Sequence, residues 1–445
     1  MITTNTNWDA KNALTAKRPI YVMTLSGQTT VWATADLAAA GVTGSLPTCR
    51  PWLLTPQGAG QSVDVVNGTS TIGELQCEVI DQGGELRTLI GTTTLEGATL
   101  TLRIGWPGIA YTEFVALQTY QLYKVTPSAG YNSWIFLARD KQLLAKKTVS
   151  VHPENGAYLT ADNPWYVGGS AIEIMQAIVL FGLGCDPSVL DLSALAALQS
   201  PGEGLYSSAR PYLFAFTDSF GAKQFLETEL YKSAGLHTVI TNTGAISLRS
   251  FRAPAAGPTA VYAFTADNLC GLPAIDRLPV INEIIFRLDY DGSNFGTELF
   301  FLESNSLADY GRTTQWVMES KGLRSELGGQ WYAQWVASRM FQRFAGTVGG
   351  LRGGAPTAVV EAFLGTAPVW VGDYVTLTHG LMPDLLTGAL GVTNRLYEVI
   401  SRDPNYASGR MKYTLLDTGL TGAAPAFQWG SGSARPLVIG TGAIY

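Results

Sequence analysis

Short runs of β-forming residues alternate with glycine-containing turns over the first 150 residues. In ELQCEVI (74–80) the apolar residues occupy every second position, and polar residues lie between them. This period of two is typical of a half-buried antiparallel strand. Similar runs, separated by turns such as QGG and PSAG, are RPIYVMTLSG, ATLTLRIGW, QTYQLYKVTP and NSWIFLARD. Residues 1–162 are therefore predicted to form a β-barrel or β-sandwich domain, and the barrel is the form that we expect.

A helical period replaces the strand period from residue 163 onward. Ser170 precedes an apolar run and Glu173 follows three residues later, which matches a capping box. A second helix is predicted in DSFGAKQFLETELYKSAG, and LHTVITNTGAISLRSF has the pattern of a hairpin around an NTG turn. The Pro- and Gly-rich stretch RAPAAGPTA (252–260) fits a linker. Residues 163–260 are predicted to form a small α+β domain with this linker.

Strands return in residues 261–420, interrupted by one helix. PVINEIIFRLDYDG, TAVVEAFLG, DYVTLTH, NRLYEVISRD and RMKYTLLDTG are β-like, whereas GGQWYAQWVASRMFQRFAG is helical. Large side chains at helical spacing predict its buried stripe: Trp331, Trp335 and Phe341 or Phe344. Arg339 and Arg343 are predicted to be an exposed i,i+4 pair. The region is interpreted as a second β-barrel domain with an inserted helix.

The last 25 residues, 421–445, are rich in Gly, Ala and Ser and almost free of charge. Such a tail is either flexible or ordered by a partner. The expected fold class is therefore α+β but mainly β, with two β-barrel domains flanking a small α+β domain.

Composition adds an expectation about surfaces. Apolar residues make up 46% of the chain, and charged residues only 14%, against roughly 25% in an average soluble protein. A large interface with partners lowers the need for surface charge. The net charge of -6 argues against a protein that binds duplex DNA, because such binding needs a basic surface. No signal-peptide core and no run of eighteen apolar residues is seen, so a soluble chain made in the cytoplasm, without stable membrane insertion, is expected.

The stretch VGDYVTLTHGLMPDLLTG (371–388) is the first candidate for chemistry, because His379 lies between Asp373 and Asp384. A histidine with two acids suits a catalytic triad or a metal site. However, no GxSxG motif accompanies it. Apolar and polar residues alternate within YVTLTH, which favours a strand that begins after a Gly-Asp turn. His379 is therefore predicted to end a strand, and the following residues to form a loop with a turn at Pro383–Asp384.

The other two histidines give no catalytic or metal-binding pattern. His152 precedes a proline in a loop, and His237 begins a strand, where a partly buried structural histidine is the commoner role. No HExxH motif is present. Paired carboxylates that could cleave a glycosidic bond are a spatial feature, so this alternative stays open. Core packing is the expected role of Trp331 and Trp335.

A calcium loop is the alternative interpretation of LDYDGSN (288–294). Asp289, Asp291 and Asn294 surround Gly292, but position 12 of the loop, counted from Asp289, is Phe300 and not the glutamate that an EF-hand needs. A turn after a strand explains the same residues.

The four cysteines are widely spaced and form no CxxC pair: Cys49, Cys77, Cys185 and Cys270. We predict buried free thiols, with convergence on a bound cluster as the alternative. No catalytic, cofactor-binding or metal-binding residue is predicted.

The order of segments between about residues 60 and 420 resembles one family. NPWYVGGSAIEIMQAIV and GCDPSVLD are followed by FLETELYKSAGLHTVITNTGAISLRSF, INEIIFRLDYD and SLADYGRTTQWVMESKGLRSE. VGDYVTLTHGLMPDLLTGALGVTNRLYEVISRDPNYASGRMKYTLLDTG comes last. This order is similar to that of the tail-tip or baseplate hub proteins of tailed bacteriophages and gene transfer agents. Each fragment is weakly specific, and their order and spacing carry the resemblance.

The resemblance implies a virion structural protein without enzymatic activity. It implies a homotrimeric ring whose paired tail-tube-like barrels adapt a sixfold tail tube to a threefold central tip or fibre protein. The ring would dock on distal tail and tail-tube proteins and line the channel through which DNA leaves without specific binding. The family pattern does not explain residues 421–445, which we expect to reach along a neighbouring subunit or the tip protein. The alternative function is a glycan-binding or glycan-degrading tail protein that contacts the host envelope.

Overall fold

The computed structural model describes residues 18–199, 209–250, 258–346, 354–385, 387–421 and 438–440, together with Trp8 and Lys11. Strands dominate these residues, so the mainly β class is confirmed. Most of the predicted linker, residues 252–257, lies outside the described residues, as do residues 422–437 and 441–445. The two-barrel arrangement and the bounds of the four predicted domains stay predictions.

The strands are numbered in chain order. Up to residue 149 they are β1 (Ile20–Leu25), β2 (Thr30–Ala33), β3 (Thr48–Arg50), β4 (Gln57–Ala59), β5 (Gln61–Asp64), β6 (Thr69–Ser70), β7 (Glu74–Ile80), β8 (Thr99–Gly105), β9 (Val115–Pro127), β10 (Ser133–Arg139) and β11 (Thr148–Val149). The next are β12 (Trp165–Gly169), β13 (Tyr212–Phe216), β14 (Phe220–Gly221), β15 (Leu236–Ile240) and β16 (Ile246–Ser250). The last are β17 (Tyr262–Thr265), β18 (Ala274–Arg277), β19 (Glu283–Tyr290), β20 (Phe295–Leu302), β21 (Gln315–Glu319), β22 (Pro356–Phe363), β23 (Tyr374–Pro383), β24 (Leu390–Asn405), β25 (Arg410–Thr421) and β26 (Val438–Gly440).

The helices are fewer and mostly short. They are α1 (Glu85–Thr92), α2 (Gln142–Ala145), α3 (Ala171–Gln176), α4 (Leu192–Leu198), α5 (Ala222–Phe225), α6 (Ser304–Tyr310) and α7 (Gly329–Phe344). A π-helical segment, Ala177–Gly182, continues α3; a second one, Leu226–Tyr231, continues α5 into a last turn, Lys232–Ala234. Short 3-10 turns are Gln82–Gly84, Tyr111–Glu113, Pro187–Val189, Ser325–Leu327 and Leu364–Thr366.

Two eight-stranded sheets form the largest part of the structure. The first has the order β3-β2-β1-β8-β9-β10-β7-β4, and β7 has the alternating burial that its sequence predicts. The second has the order β17-β23-β24-β25-β22-β18, with β5 paired to β24 and β6 to β5. The strands β5 and β6 therefore join a sheet whose other members begin about 200 residues later, at Tyr262.

The two large sheets share one apolar core, to which β10 contributes Phe136 and β24 contributes Val399. The Tyr21 hydroxyl donates a hydrogen bond of 3.2 Å to the carbonyl of Tyr406 across this junction. A methyl group on Gly58 would lie 2.9 Å from the side chain of Pro404, so glycine lets β4 approach β24 closely. The sheets are thus packed on each other and are not separated by solvent.

A second core holds the helical unit and a four-stranded sheet. The antiparallel pair β12–β13 and the hairpin β15–β16 share this core with α3 and α5, and the hairpin is the one that the sequence predicts at 236–251. The four-stranded sheet has the order β21-β19-β20-β26, and α7 packs against it. Trp370, in the connection between β22 and β23 of the second large sheet, donates its indole N–H to the carbonyl of Ile240, which connects the helical unit to that sheet.

The predicted faces of α7 are wrong in part. Phe341 and Phe344 are buried as predicted, but Arg339 and Arg343 are buried as well, with 9% and 6% exposure, and Trp331 is 52% exposed. The buried face also contains residues at helical spacing outside the predicted stripe: Tyr332, Ala333, Val336 and Met340. Large residues occupy both faces of this helix, so the sequence pattern cannot choose between them. Contacts with buried acids and aromatic rings elsewhere in the chain determine which face of the helix is buried.

The predicted end of β23 is also wrong. The strand continues past His379 to Pro383, with register irregularities on both sides of the histidine, and the next strand begins at Leu390. Residues 380–383 are therefore strand and not loop.

Candidate functional site

The window around His379 does not assemble a catalytic group. Asp373 lies before the strand, where its carboxylate accepts a hydrogen bond of 2.9 Å from the backbone N–H of Trp370. Six residues of extended chain separate it from His379, which corresponds to up to ~20 Å. The His379 Nδ1 accepts from the backbone N–H of Leu381 at 3.3 Å, and Asp384 accepts from the hydroxyl of Thr387 at 2.9 Å. Each side chain supports its own turn or bulge.

The structure places His237 in a buried ionic cluster that the sequence did not reveal. Glu398 on β24 accepts a hydrogen bond of 2.5 Å from Arg343 of α7, and its other oxygen lies 3.8 Å from Nε2 of His237 on β15. All three side chains are only 1–2% exposed. Burial lowers the pKa of His237 to about 4, although Glu398 acts in the opposite direction. His237 is therefore neutral at pH 7.

This cluster cannot serve a substrate, because none of its three side chains reaches the surface. It has a structural role instead: the carboxylate of Glu398 is held between a helix and two strands that are far apart in sequence. Arginine is buried here because a buried acid pairs with it, and unpaired burial of either charge is costly. No short motif could have revealed this arrangement, since its partners are 55 residues apart or more.

A second buried acid, Asp140, follows β10. Its carboxylate accepts hydrogen bonds from the backbone N–H of Gly73 at 2.6 Å, that of Gln142 at 2.9 Å, and the side-chain amide of Gln61 at 3.2 Å. Burial raises the pKa of Asp140 to about 6, against the effect of these hydrogen bonds and of Lys223. Asp140 thus fastens the β4–β7 connection to the first turn of α2.

A polar network continues from Asp140 toward α5. The Ser70 hydroxyl donates to Gln142 at 2.6 Å, and the Ser70 backbone N–H donates to Glu227 at 2.9 Å. Lys223 pairs with Glu227 and also donates to the Ser70 carbonyl at 2.9 Å. A small cavity of about 10 Å³ adjoins Gln142 and Lys223. The network joins β6 to the helical unit.

The calcium-like loop uses its acids as turn residues. Asp291 accepts from the backbone N–H groups of Ser293 and Asn294, both at 2.8 Å, which is an Asx turn. Asp289 has a positive φ of 60°, and its carboxylate accepts from the Thr297 hydroxyl at 2.6 Å and the Ser325 backbone N–H at 2.7 Å. The carboxylate oxygens thus support the β19–β20 turn.

The cysteines and acids show no metal-binding cluster in the described part of the chain. Cys49, Cys77, Cys185 and Cys270 are free thiols; Cys77 is fully buried, whereas the other three are partly exposed, which corrects the prediction that all four are buried. Burial raises the pKa of each thiol, so none of them is activated as a thiolate. None of the described helices is both long and apolar enough to cross a membrane.

Trp331 is the aromatic side chain whose place differs most from expectation. Its ring stacks on Trp335 with centroids 5.9 Å apart, and the guanidinium of Arg339 lies 3.9 Å from the Trp335 ring centroid. Trp335 is half-buried against the second core, while Trp331 stays 52% exposed. A surface depression of about 300 Å³ between α1 and β8 contains one carboxylate, Glu96, and no tryptophan.

Comparison with solved structures finds prophage tail proteins. The 43 kDa tail protein of prophage MuSo2 from Shewanella oneidensis is 13% identical, with a TM-score of 0.45 over 90% of this chain and 99% of that one. A tail protein from Neisseria meningitidis is 10% identical, with a TM-score of 0.45 over 91% and 98%. Prophage tail protein gp18 from Listeria monocytogenes is 10% identical, with a TM-score of 0.40 over 81% and 87%.

No protein-family model matches the chain, and no curated protein does. The three solved structures named above are described as prophage tail proteins, and the order of segments in this sequence resembles tail proteins as well.

Proposed function

We propose that this chain is a structural component of the tail tip or baseplate of a phage-like particle. It acts as a central hub: three copies form a ring that adapts the sixfold tail tube to a threefold tip and lines the DNA exit channel. It is made in the cytoplasm of the host cell and becomes part of the virion. The chain has no catalytic activity in this proposal.

One observation carries the proposal, namely the order of the segments that resemble hub proteins. The helical unit, with its capped helix α3 and the β15–β16 hairpin, lies in the chain between the strands β1–β10 and β17–β25. These two sets supply most of the two large sheets, which share one core. In this proposal each of the two large sheets of a subunit supplies one of two comparable surfaces, which is what a threefold ring facing a sixfold partner requires.

The surface composition supports assembly with partners. Tyr131, Tyr158 and Leu390 are 80, 75 and 71% exposed, and Tyr166 and Leu213 lie on the outer face of the β12–β13 strand pair. Aromatic residues such as these tyrosines are enriched at protein interfaces relative to the rest of the surface. The low charge content agrees with such burial, and the net charge of -6 suits a channel that DNA passes without binding.

Deleting the gene from a producing cell tests this function. We expect particles with filled heads and tails that lack the tip, and gold-labelled antibody against the restored chain at the distal tail end. Normal tails without the chain, or label elsewhere on the particle, would contradict the proposal.

Glycan binding is the second candidate function, and the exposed ring of Trp331 favours it. Sugars stack on exposed aromatic rings, and here one indole face remains open beside a cation–π pair. If the chain binds envelope glycans, Trp331→Ala lowers binding at least about tenfold, while Tyr131→Ala, at another exposed ring, does not. Binding of host envelope polysaccharide by neither the wild type nor the variants removes this candidate.

A further inference from the structure

Gln61 on β5 has one buried side-chain atom that no hydrogen bond satisfies. The residue is 7% exposed, and its side-chain Nε2 donates a hydrogen bond of 3.2 Å to Oδ2 of Asp140. The other end of the amide, Oε1, is buried and has no partner among the residues that the structure describes. Buried acceptors without a partner are rare in folded proteins, and each one calls for a physical reason. The neighbouring Asp140 supplies that reason.

Asp140 is a fully buried carboxyl group that only hydrogen-bond donors surround. Its oxygens accept from the backbone N–H groups of Gly73 and Gln142 and from the side chain of Gln61. Lys223 of α5 acts on it through space, without a hydrogen bond among the described contacts. Burial raises the pKa of Asp140 to about 6, against the effect of these hydrogen bonds and of Lys223. Asp140 therefore exchanges a proton with solvent in mild acid.

The other charged and titratable groups around Asp140 have partners of their own or stay neutral. Four of them form two ion pairs, Lys223 with Glu227 and Glu74 with Arg139. Lys141, the next residue along the chain, donates to the carbonyl of Ser188. The phenol of Tyr120 on β9 stays neutral, because burial raises its pKa well above the ordinary value and the Asp140 charge adds to this. Asp140 thus changes its charge without a counter-charge in contact with it.

A protonated carboxyl group needs an acceptor in addition to donors. Its new O–H is itself a donor, and a buried donor without an acceptor is costly. Gly73 and Gln142 offer only N–H groups to the carboxyl. Gln61 offers an acceptor if its amide rotates by half a turn about the last bond, since the amide oxygen and nitrogen are of nearly equal size. The rotation gives Oε1 the partner that it lacks.

We propose that Asp140 and Gln61 form a proton-binding site, in which the Gln61 amide rotates when Asp140 takes up a proton from solvent. In the ionised state Nε2 donates to the carboxylate. In the protonated state the O–H of Asp140 donates to Oε1, and one hydrogen bond joins the two side chains in either state. The inference goes beyond the tail-hub function and does not depend on it.

The site lies where the two large sheets meet. Gln61 is opposite Arg402 in the pairing of β5 with β24, which belongs to the second large sheet. Asp140 directly follows β10 of the first large sheet. Without rotation, a proton on Asp140 would leave an unpaired O–H in this junction. With rotation, the contact between the two sheets is kept in mild acid.

Nuclear magnetic resonance tests the rotation, with isotope-labelled glutamine, glycine and aspartate in an otherwise deuterated chain. Gln61→Met identifies the Gln61 side-chain signal by its loss. A methyl group on Gly73 would lie 2.8 Å from Nε2 of Gln61, so in the ionised state the amide protons are close to an α-proton of Gly73. We expect a nuclear Overhauser effect between them at about pH 8 that is lost at about pH 4.5, on either side of the Asp140 pKa of about 6.

Asp140→Asn is the control, because nothing titrates at residue 140 in this variant. Its Gln61 signals should not change between the two pH values. In the wild type, an Overhauser effect that stays constant while the labelled Asp140 carboxyl titrates would overturn the rotation. No titration of Asp140 in this range would overturn the proton-binding site. A pH-dependent effect that persists in Asp140→Asn would overturn the assignment to Asp140. The tail location can be correct in all of these cases.

Discussion

At the scale of single residues, the main features are buried ionisable groups whose partners come from distant parts of the chain. His237 is neutral because burial dominates over the nearby Glu398, and Asp140 holds its proton more strongly than an exposed acid. These two groups affect the pH dependence of stability in opposite directions. Single substitutions can therefore separate their contributions.

His237→Gln should reduce the loss of stability in mild acid. The pKa of His237 is about 4 in the folded chain and ~6.5 in the unfolded chain, so unfolding takes up a proton between these values. The contribution of a neutral His237 is thus full above pH ~6.5 and is lost as the pH falls through 4. The stability of the wild type relative to the variant should fall by up to about 3 kcal/mol between pH 6.5 and 4. Chemical denaturation across this range measures it, and parallel pH profiles would contradict it.

Asp140→Asn should show the opposite sign. The pKa of Asp140 is about 6 when folded and ~3.9 when unfolded, so the folded chain holds the extra proton between these values. Its favourable contribution is full below pH ~4 and is lost as the pH rises through 6. The stability of the wild type relative to Asp140→Asn should therefore fall with rising pH, by up to about 3 kcal/mol. If the stability of the wild type relative to Asp140→Asn rises with pH in the same denaturation series, the prediction is refuted.

Arg343→Met should be far more destabilising than Arg410→Met. Arg343 pairs with buried Glu398, and removing it leaves an uncompensated buried carboxylate, a loss of about 3–5 kcal/mol. Arg410 forms an exposed pair with Glu361, where solvent screens the interaction, so its loss should have little effect. Adding Glu398→Gln to Arg343→Met should recover part of the stability. Equal unfolding midpoints for the two single variants would contradict the role assigned to the buried pair.

At the scale of elements, the start of α3 is the feature that the sequence predicts most directly. The Ser170 hydroxyl accepts from the Glu173 backbone N–H at 3.2 Å, and the Glu173 carboxylate accepts from the Ser170 N–H at 2.8 Å. Both halves of the capping box are local, so four residues of sequence suffice to recognise it.

Ser170→Ala should therefore lower the free energy of unfolding by about 1 kcal/mol, because the cap loses its acceptor. Thr88→Ala is the control, since Thr88 is an exposed residue inside α1 and caps nothing. Its effect should stay within ~0.5 kcal/mol. Denaturant unfolding measures both variants, and equal effects would argue against a stabilising cap.

Other elements could not be oriented from the sequence, and α7 shows why. Its existence and bounds follow from the helical period, but Trp331, Trp335 and Arg339 are spaced like Tyr332, Val336 and Met340. The ion pair with Glu398, 55 residues after Arg343, makes a buried arginine favourable and thereby favours burial of the second set. The strand β5 gives the same lesson, because its partner β24 follows more than 300 residues later.

At the scale of the whole molecule, the sequence predicts which elements lie next to each other only where the contacting residues are close together in the chain. The hairpin β15–β16 and the strands β7 to β10 follow from local pattern and turn chemistry. The shared core of the two large sheets does not follow from it, since it depends on residues such as Tyr21 and Tyr406 meeting from opposite ends of the chain. The prediction of the candidate site is limited in the same way. The sequence draws attention to His237, but it does not reveal the distant partners of this residue.

The copy number of the chain at the tail tip tests the central claim most directly. Images of isolated tails, reconstructed without imposed symmetry, would count the subunits and locate the two large sheets of each. The hub proposal predicts three copies around the tail axis, with their paired sheets forming a ring that faces the sixfold tube. Six copies, a single copy, or a position away from the axis would contradict it.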